Sequence, residues 1–316
     1  LRVKPDGSWS PMTGGFRSPS GIGTNLAGDV FATDQQGNWF ATCALMHLKK
    51  GVFHGHADAL QFTKLPGSTL QVKQPLPQNL TVAEAAEQIP AYHLPAVWFP
   101  YRKMGMSTTD ILADRTQGMF GPFNGQLFCG EFTMSFVSRV FLEKIEGEYQ
   151  GACFRFRDGL DCAALRLEWG LNGSMYIGQS NRGWNSLGTK SYSLQRLQWN
   201  GKIPFEIKTM SARHDGFTLT FTRPVNLKTA TDINSYMLSS YTYPYHSKYG
   251  GKETDLIKLT IKSITTDNEK QLVHLEIDGL RAGYVHELHA DGVMDSTGQP
   301  LVHKAAYYTL NRIPKK

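Results

Sequence analysis

Polar side chains follow an apolar strand near the start of the chain. The strand ends at Asp34, and the side chains that come next are those of Gln35, Gln36 and Asn38. Side-chain oxygens of this kind suit a hard cation such as calcium, with Asp34 and Asn38 as the expected metal ligands. The same residues are also typical of an Asx-type turn that its own backbone satisfies. Both interpretations stay open on the residues alone.

Two histidines, His54 and His56, stand two positions apart. On a strand they share one face, which predicts a pair of imidazoles directed at a substrate, a metal or a haem. The alternative is that both are structural. His47 belongs to the same region, but the three histidines do not have the spacing of a helical metal motif.

Two further polar residues, Glu131 and Gln179, each directly follow a glycine at the end of a predicted strand. Strand ends of this kind point into the mouth of a channel, where ligands bind. Arg182 and Trp184 come shortly after Gln179, and planar polar groups beside an aromatic face suit a saccharide. The sequence therefore predicts a substrate-binding rim, with ordinary loop chemistry as the alternative.

The elements that must position these residues are short strands. The 31 glycines and the 17 Phe, 13 Tyr and 6 Trp indicate many tight turns between aromatic-rich strands. Strand units recur at roughly the 40–50-residue spacing of propeller blades. We predict an all-β chain in which residues 1–202 form a β-propeller portion of about three to four blades.

One helix interrupts the predicted blades. Thr81 and Glu84 form a capping box, which predicts a helical insertion near 81–89. Residues 203–316 hold about seven short alternating strands, which predicts an immunoglobulin-like β-sandwich. The segment 241–246 is an aromatic loop that either contacts a partner or carbohydrate or packs beneath the surface.

Composition narrows the class of protein. The chain has 316 residues and a formal net charge of +6, but its Lys and Arg are scattered, which argues against nucleic acid as a partner. No apolar segment is long enough to span a bilayer.

Cys153 and Cys162 flank a turn, so a hairpin disulfide and a pair of buried thiols both remain open. The chain opens in the middle of a strand, and we expect it to be a processed or partial polypeptide.

Three segments, 17–21, 28–37 and 45–56, resemble the glucose/sorbosone dehydrogenase family that depends on pyrroloquinoline quinone (PQQ). The chain is most similar to the large membrane-associated bacterial proteins of this type, which are often joined to cytochrome c. The resemblance implies the C-terminal blades of a six-bladed propeller. It also implies that Arg17, Gln35 and Gln36 bind the cofactor, in the periplasm or outside the cell.

The chain departs from that family at the cofactor cations. The family supplies a Lys and two Arg from its last blades, whereas the corresponding segments here are 132–134 and 162–164, which hold none. The general base of the family is a His in an earlier blade, so no catalytic residue is assigned here.

Two hypotheses on function follow. In the first, the chain is part of an exported sugar or alcohol dehydrogenase-like propeller, a quinoprotein if active, that passes electrons to a cytochrome. In the second, it is a non-catalytic scaffold that binds glycan or protein. In both, we expect a second polypeptide to supply the remaining blades, because an open propeller exposes strand edges.

Overall fold

Short antiparallel strands dominate the structure, as the glycine-punctuated aromatic segments predict. The computed structural model describes residues 1–267, 269 and 271–316. Strands make up 44% of the chain and helices 7%, which confirms the all-β prediction. No helix within the described residues is long and apolar enough to cross a membrane.

A small hairpin comes first, followed by a four-stranded antiparallel sheet. The strands of the two are β1 (Arg2–Val3), β2 (Trp9–Ser10), β3 (Gly21–Thr24), β4 (Val30–Asp34), β5 (Cys43–His47) and β7 (Val97–Phe99). The sheet has the order β3-β4-β5-β7. Asp34 pairs with Ala44, and Phe31 pairs with His47. Because β4 and β5 are antiparallel, Asp34 and His47 lie at opposite ends of this first sheet.

The segment between β5 and β7 carries the helical insertion. It contains a 3-10 helix (Ala57–Lys64), the short strand β6 (Leu80–Thr81) and helix α1 (Val82–Gln88). The Thr81 hydroxyl accepts a hydrogen bond from the Glu84 amide at 3.2 Å, and the Glu84 carboxylate accepts one from the Thr81 amide at 2.7 Å. The helix and its capping box are those that the sequence predicts.

A second and a third antiparallel sheet follow. Their strands are β8 (Thr108–Ala113), β9 (Leu127–Glu131), β10 (Phe136–Ile145) and β11 (Glu148–Arg157), then β12 (Ala164–Trp169), β13 (Met175–Ser180) and β14 (Tyr192–Leu197). The hydroxyl of Thr33 donates to the Thr109 carbonyl at 2.6 Å, and the hydroxyl of Thr109 donates to the Ala164 carbonyl at 2.8 Å. Threonines thus connect each sheet to the next.

The C-terminal part contains two groups of four antiparallel strands. Its elements are β15 (Ile207–Arg213), β16 (Gly216–Phe221), α2 (Leu227–Ala230), β17 (Met237–Thr242), β18 (Pro244–Tyr245), β19 (Thr254–Lys258), β20 (Thr260–Thr266), β21 (Leu272–Asp278), β22 (Tyr284–His289) and β23 (Ala305–Leu310). The two groups have the orders β15-β16-β21-β20 and β19-β17-β22-β23. Phe217 and Leu275 of the first and Leu288 and Tyr308 of the second belong to one apolar core.

The N-terminal and C-terminal parts share a sheet. β23 pairs with β11, so the second sheet continues into the C-terminal part as eight hydrogen-bonded strands. β18 pairs with β6. The buried guanidinium of Arg139 donates to the carbonyls of Ile207 and Lys208 at 2.6 and 2.7 Å. The boundary at 202/203 lies between β14 and β15, and its role as a domain boundary stays a prediction.

Two alternatives that the sequence leaves open are decided by the structure. All four cysteines are buried and unpaired, so the hairpin disulfide is absent. Tyr241, Tyr243 and Tyr245 are at most 1% exposed, so the aromatic loop packs inside the molecule.

Candidate functional site

Loops from all three N-terminal sheets and one C-terminal segment surround a pocket of about 390 Å³, called here the mouth pocket. The residues that line it are Arg17, Gln35, Gln36, Tyr101, Met106, Ser107, Phe132, Thr133, Trp184 and Tyr249. The pocket therefore contains four of the residues that the sequence predicts for binding.

A buried carboxylate holds the first wall of the pocket. Asp34, at the end of β4, accepts hydrogen bonds from the amides of Arg17, Ser18 and Gln35 at 2.7–2.8 Å. Burial raises the pKa of Asp34 to about 6, and the three amides oppose that shift. Asp34 fixes the loops that carry Arg17 and Gln35.

A second buried carboxylate holds the opposite wall in the same way. Glu131, at the end of β9, accepts from the amides of Met106 at 2.8 Å, Ser107 at 2.5 Å and Met134. Burial raises the pKa of Glu131, and these amides again oppose the shift. Its side chain therefore binds the backbone behind the pocket and is not part of the lining.

The third sheet repeats this arrangement with an amide side chain. Gln179, in β13, accepts from the Cys162 amide at 2.9 Å and donates to the Gln195 side chain at 2.7 Å. In each sheet, a polar residue near the end of the second strand binds the segment that precedes the first strand. Asp34, Glu131 and Gln179 are equivalent positions of one structural repeat.

The loop after β13 brings Trp184 to the pocket. Its backbone rests on the turn after β9, where the Leu187 amide donates to the Thr133 carbonyl at 2.8 Å. Trp184 is 68% exposed and lines the pocket, whereas Arg182 is exposed and lies outside the lining. Of the predicted rim residues, the structure brings Trp184 alone to the mouth pocket.

Tyr249 reaches the same pocket from the C-terminal part. Asn38 forms a bridge with Tyr249, and the Gly250 amide donates to the Gly37 carbonyl at 3.0 Å. The Asn38 side chain donates to the Ser247 carbonyl at 3.0 Å. Asn38 thus binds the C-terminal segment, and its role as a metal ligand with Asp34 stays a prediction.

Arg17 is the cation among the lining residues. Its guanidinium lies 5.4 Å from the ring centroid of Tyr249 and forms no ion pair with an acidic residue among those described. Gly37 permits this placement, because a Cβ there would lie 2.1 Å from the Arg17 Nε. Arg17 therefore makes no direct ion pair in the described chain, although its charge acts on the buried carboxylate of Asp34 and lowers the pKa of that group.

The amide side chains of the pocket are partly bound to the backbone. Gln35 donates through Nε2 to the Thr108 carbonyl, and Gln36 donates through Nε2 to the Ala41 carbonyl at 2.9 Å. These bonds use the donor ends of both side chains and fix their orientation.

His54 and His56 lie outside the lining. The premise that they share a strand face is wrong, because Gly55 between them has a φ of 113° and no strand forms there. His54 is fully buried, and His56 precedes the 3-10 helix. Their binding roles stay predictions without support from the pocket.

The pocket does not fit PQQ. A ligand with three carboxylates needs several cations in a partly dry site, and Arg17 is the cation that the described lining provides. Phe132 and Thr133, which stand where the resemblance expects cations, line the pocket with uncharged groups. No reaction step through the quinone is therefore derived.

Comparison with known proteins does not assign the chain to a family. No family model matches the chain, and no curated protein matches it. A solved structure of a candidate oxidoreductase (glucose dehydrogenase) from Thermus thermophilus is 16% identical, covers 59% of this chain and has a TM-score of 0.38. The match spans 47% of that protein, and its TM-score is too low to establish a shared fold.

Proposed function

We propose that the mouth pocket binds a saccharide that carries a carboxylate, such as a uronic acid. The supporting observation is that two exposed aromatic side chains, Trp184 and Tyr249, line the same pocket as the guanidinium of Arg17. A concave site with aromatic faces and a few fixed polar groups is typical of small-molecule binding.

The aromatic side chains supply the sugar-stacking surface. Trp184 is 68% exposed and Tyr249 is 63% exposed, which is unusual for aromatic rings that pack for stability alone. The apolar faces of pyranose rings stack on such side chains, while hydroxyl groups bond to planar amides. Gln36 offers its carbonyl oxygen at the pocket, since its nitrogen already donates to the backbone, whereas the carbonyl oxygen of Gln35 accepts from the buried Sγ of Cys43.

Arg17 selects for an acidic sugar. A guanidinium that makes no direct ion pair can take a ligand carboxylate in a charge-assisted, bidentate contact. A neutral sugar offers no carboxylate for this contact. We therefore expect galacturonate oligomers to bind more tightly than neutral oligosaccharides of the same length.

The test is a titration of the full chain with digalacturonate and, separately, with cellobiose, followed by tryptophan fluorescence and calorimetry. We expect digalacturonate to bind preferentially, Trp184→Ala to weaken it about tenfold or more, and Arg17→Gln to remove the preference for acid. Trp9→Ala is the matched control, because Trp9 is also exposed but lies outside the pocket. Equal binding by all variants, or none by the wild type, would reject the proposal.

A second candidate is that the chain is part of a dehydrogenase-like propeller, with the cofactor cations supplied elsewhere. In its favour, the segments 17–21 and 28–37 that resemble that family supply Arg17, Gln35 and Gln36 to the pocket. PQQ added with calcium would then bind only in the presence of a second polypeptide. A substrate oxidised by the assembled pair, and not by either chain alone, would support it.

The assignment of the sheets to propeller blades and a sandwich is part of this second proposal. We infer that the three N-terminal sheets are propeller blades and that the two C-terminal groups of strands form an immunoglobulin-like sandwich. On the edge strand β14, Tyr192 and Leu194 are 80% and 70% exposed, which supports pairing with a further blade. Light scattering checks this: a well-behaved monomer of this chain would count against a missing second polypeptide.

A further inference from the structure

Three metal-ligating side chains meet at the end of the first sheet that lies opposite Asp34. His47 ends β5, His93 lies between α1 and β7, and Glu148 begins β11. One ligand atom of each lies within 4.8 Å of those of the other two. The Nε2 atom of His93 is 3.4 Å from the nearer oxygen of Glu148.

Several polar atoms of this cluster have no partner. The Nδ1 of His47 is buried and makes no hydrogen bond within the described structure, and the Glu148 oxygen that faces His93 Nε2 at 3.4 Å has no hydrogen-bond donor. Beside them, the fully buried ring of His54 lies 6.2 Å from that of His93, and neither of its nitrogens is bonded. Because a buried polar group without a hydrogen-bond partner is costly, these atoms indicate a missing ligand.

Charged neighbours hold the cluster in place. Lys49 binds the other oxygen of Glu148 at 2.7 Å and leaves the oxygen that faces His93 for a ligand. An oxygen of Asp29 lies 3.9 Å from the Nε2 of His47, and the hydroxyl of Tyr149 donates to Asp29 at 2.6 Å. A carboxylate behind a histidine is the usual outer partner of a metal-bound imidazole.

We propose that His47, His93 and Glu148 bind a zinc-class divalent metal ion, with a fourth position open to water. Two imidazoles and one carboxylate are a ligand set that zinc accepts, and ligand bonds of about 2.0–2.2 Å place the ligand atoms roughly 3.3–3.5 Å apart. The separation of His93 and Glu148 already fits, and small side-chain movements bring His47 to the same distance.

The open position faces a cavity. His93 and Glu148 line a cavity of about 580 Å³, so a metal-bound water is accessible from outside. The site is separate from the mouth pocket and does not depend on its proposed function.

The test is calorimetric titration of the full chain with Zn²⁺ alone, together with the visible spectrum of Co²⁺ added in its place. We expect one Zn²⁺ per chain and a tetrahedral Co²⁺ spectrum. Both His93→Asn and Glu148→Gln should weaken binding more than about 100-fold, the upper range for loss of an outer-shell partner. Circular dichroism verifies that both variants remain folded.

A matched control uses another histidine–glutamate pair. His303 Nδ1 lies 2.7 Å from a Glu206 oxygen, without a second histidine beside it among the described residues. The variant His303→Asn should bind Zn²⁺ as the wild type does. No stoichiometric binding by the wild type, or equal affinity in folded His93→Asn and Glu148→Gln variants, would overturn the proposal.

Discussion

The two ends of the first sheet differ in whether their buried polar groups find hydrogen-bond partners in the protein. At one end, Asp34 accepts three backbone amides and fixes the wall of the mouth pocket. At the other end, the Nδ1 of His47 and both ring nitrogens of the neighbouring His54 are buried without a hydrogen-bond partner among the described residues. The backbone bonds make Asp34 a structural residue, whereas the unbonded histidine nitrogens support the proposed metal site.

The same contrast separates the pocket walls from the pocket lining. Asp34 and Glu131 are acidic residues at strand ends, but their carboxylates accept hydrogen bonds from backbone amides of the protein itself. Arg17, Trp184 and Tyr249 present charge and aromatic surface that remain available. The first group positions the site, and the second group is proposed to bind.

The largest expected effect comes from Asp34→Ala. It leaves three amides without an acceptor in a buried loop, and we expect a loss of about 3–5 kcal/mol of unfolding free energy after partial relaxation. Chemical denaturation measures it. Asp58→Ala, at an exposed carboxylate, should change stability by less than about 0.5 kcal/mol. A loss below about 1 kcal/mol for Asp34→Ala would contradict the structural role that we assign to Asp34 at its end of the first sheet.

The pH dependence of stability is the next test. The pKa of Asp34 is about 6 when folded and 3.8 in the reference state, so the folded protein binds more protons between these values. Stability from this group is therefore full below about pH 4 and falls by about 3 kcal/mol as the pH rises through 6. Unfolding curves from pH 4 to 7 should show this decline, and Asp34→Asn should flatten it. An increase over that range, unchanged in Asp34→Asn, would contradict the assignment.

Metal binding should stabilise the opposite end. At a free Zn²⁺ concentration 100 times the dissociation constant, we expect a gain of about 2.7 kcal/mol in unfolding free energy. Thermal unfolding with and without Zn²⁺ measures the gain, which should vanish in His93→Asn. A gain that persists there would place the metal elsewhere.

The smallest effect on stability is expected at Trp184. Because its ring is exposed, Trp184→Ala should change unfolding free energy by no more than about 0.5 kcal/mol while it weakens saccharide binding. Denaturation and titration of the same preparation compare the two. A loss of stability equal to that of Asp34→Ala would make Trp184 a structural residue.

The sequence predicts much of the local structure and part of the pocket. The capping box at Thr81 and the strand patterns are local signals, and Arg17, Gln35, Gln36 and Trp184 do meet in one pocket. Tyr249 is not predicted, since it arrives through a C-terminal segment that pairs with the loop after β4. Such long-range pairing leaves no periodicity in the sequence.

The histidine cluster could not be predicted from spacing. His47 and His93 are separated by the helical insertion, and Glu148 comes from the next sheet. Spacing instead draws attention to His54 and His56, which form no shared face. By contrast, the glycines before Glu131 and Gln179 relate these two residues in the sequence, whereas Asp34 follows Thr33 and joins them only in the structure.

The most direct measurement is a crystal structure of the chain soaked with Zn²⁺ and digalacturonate, with anomalous data at the zinc edge. The account predicts one anomalous peak between His47, His93 and Glu148, and sugar density between Arg17 and Trp184 in the mouth pocket. Zinc at Asp34, or no ordered ligand at either end of the first sheet, would contradict it.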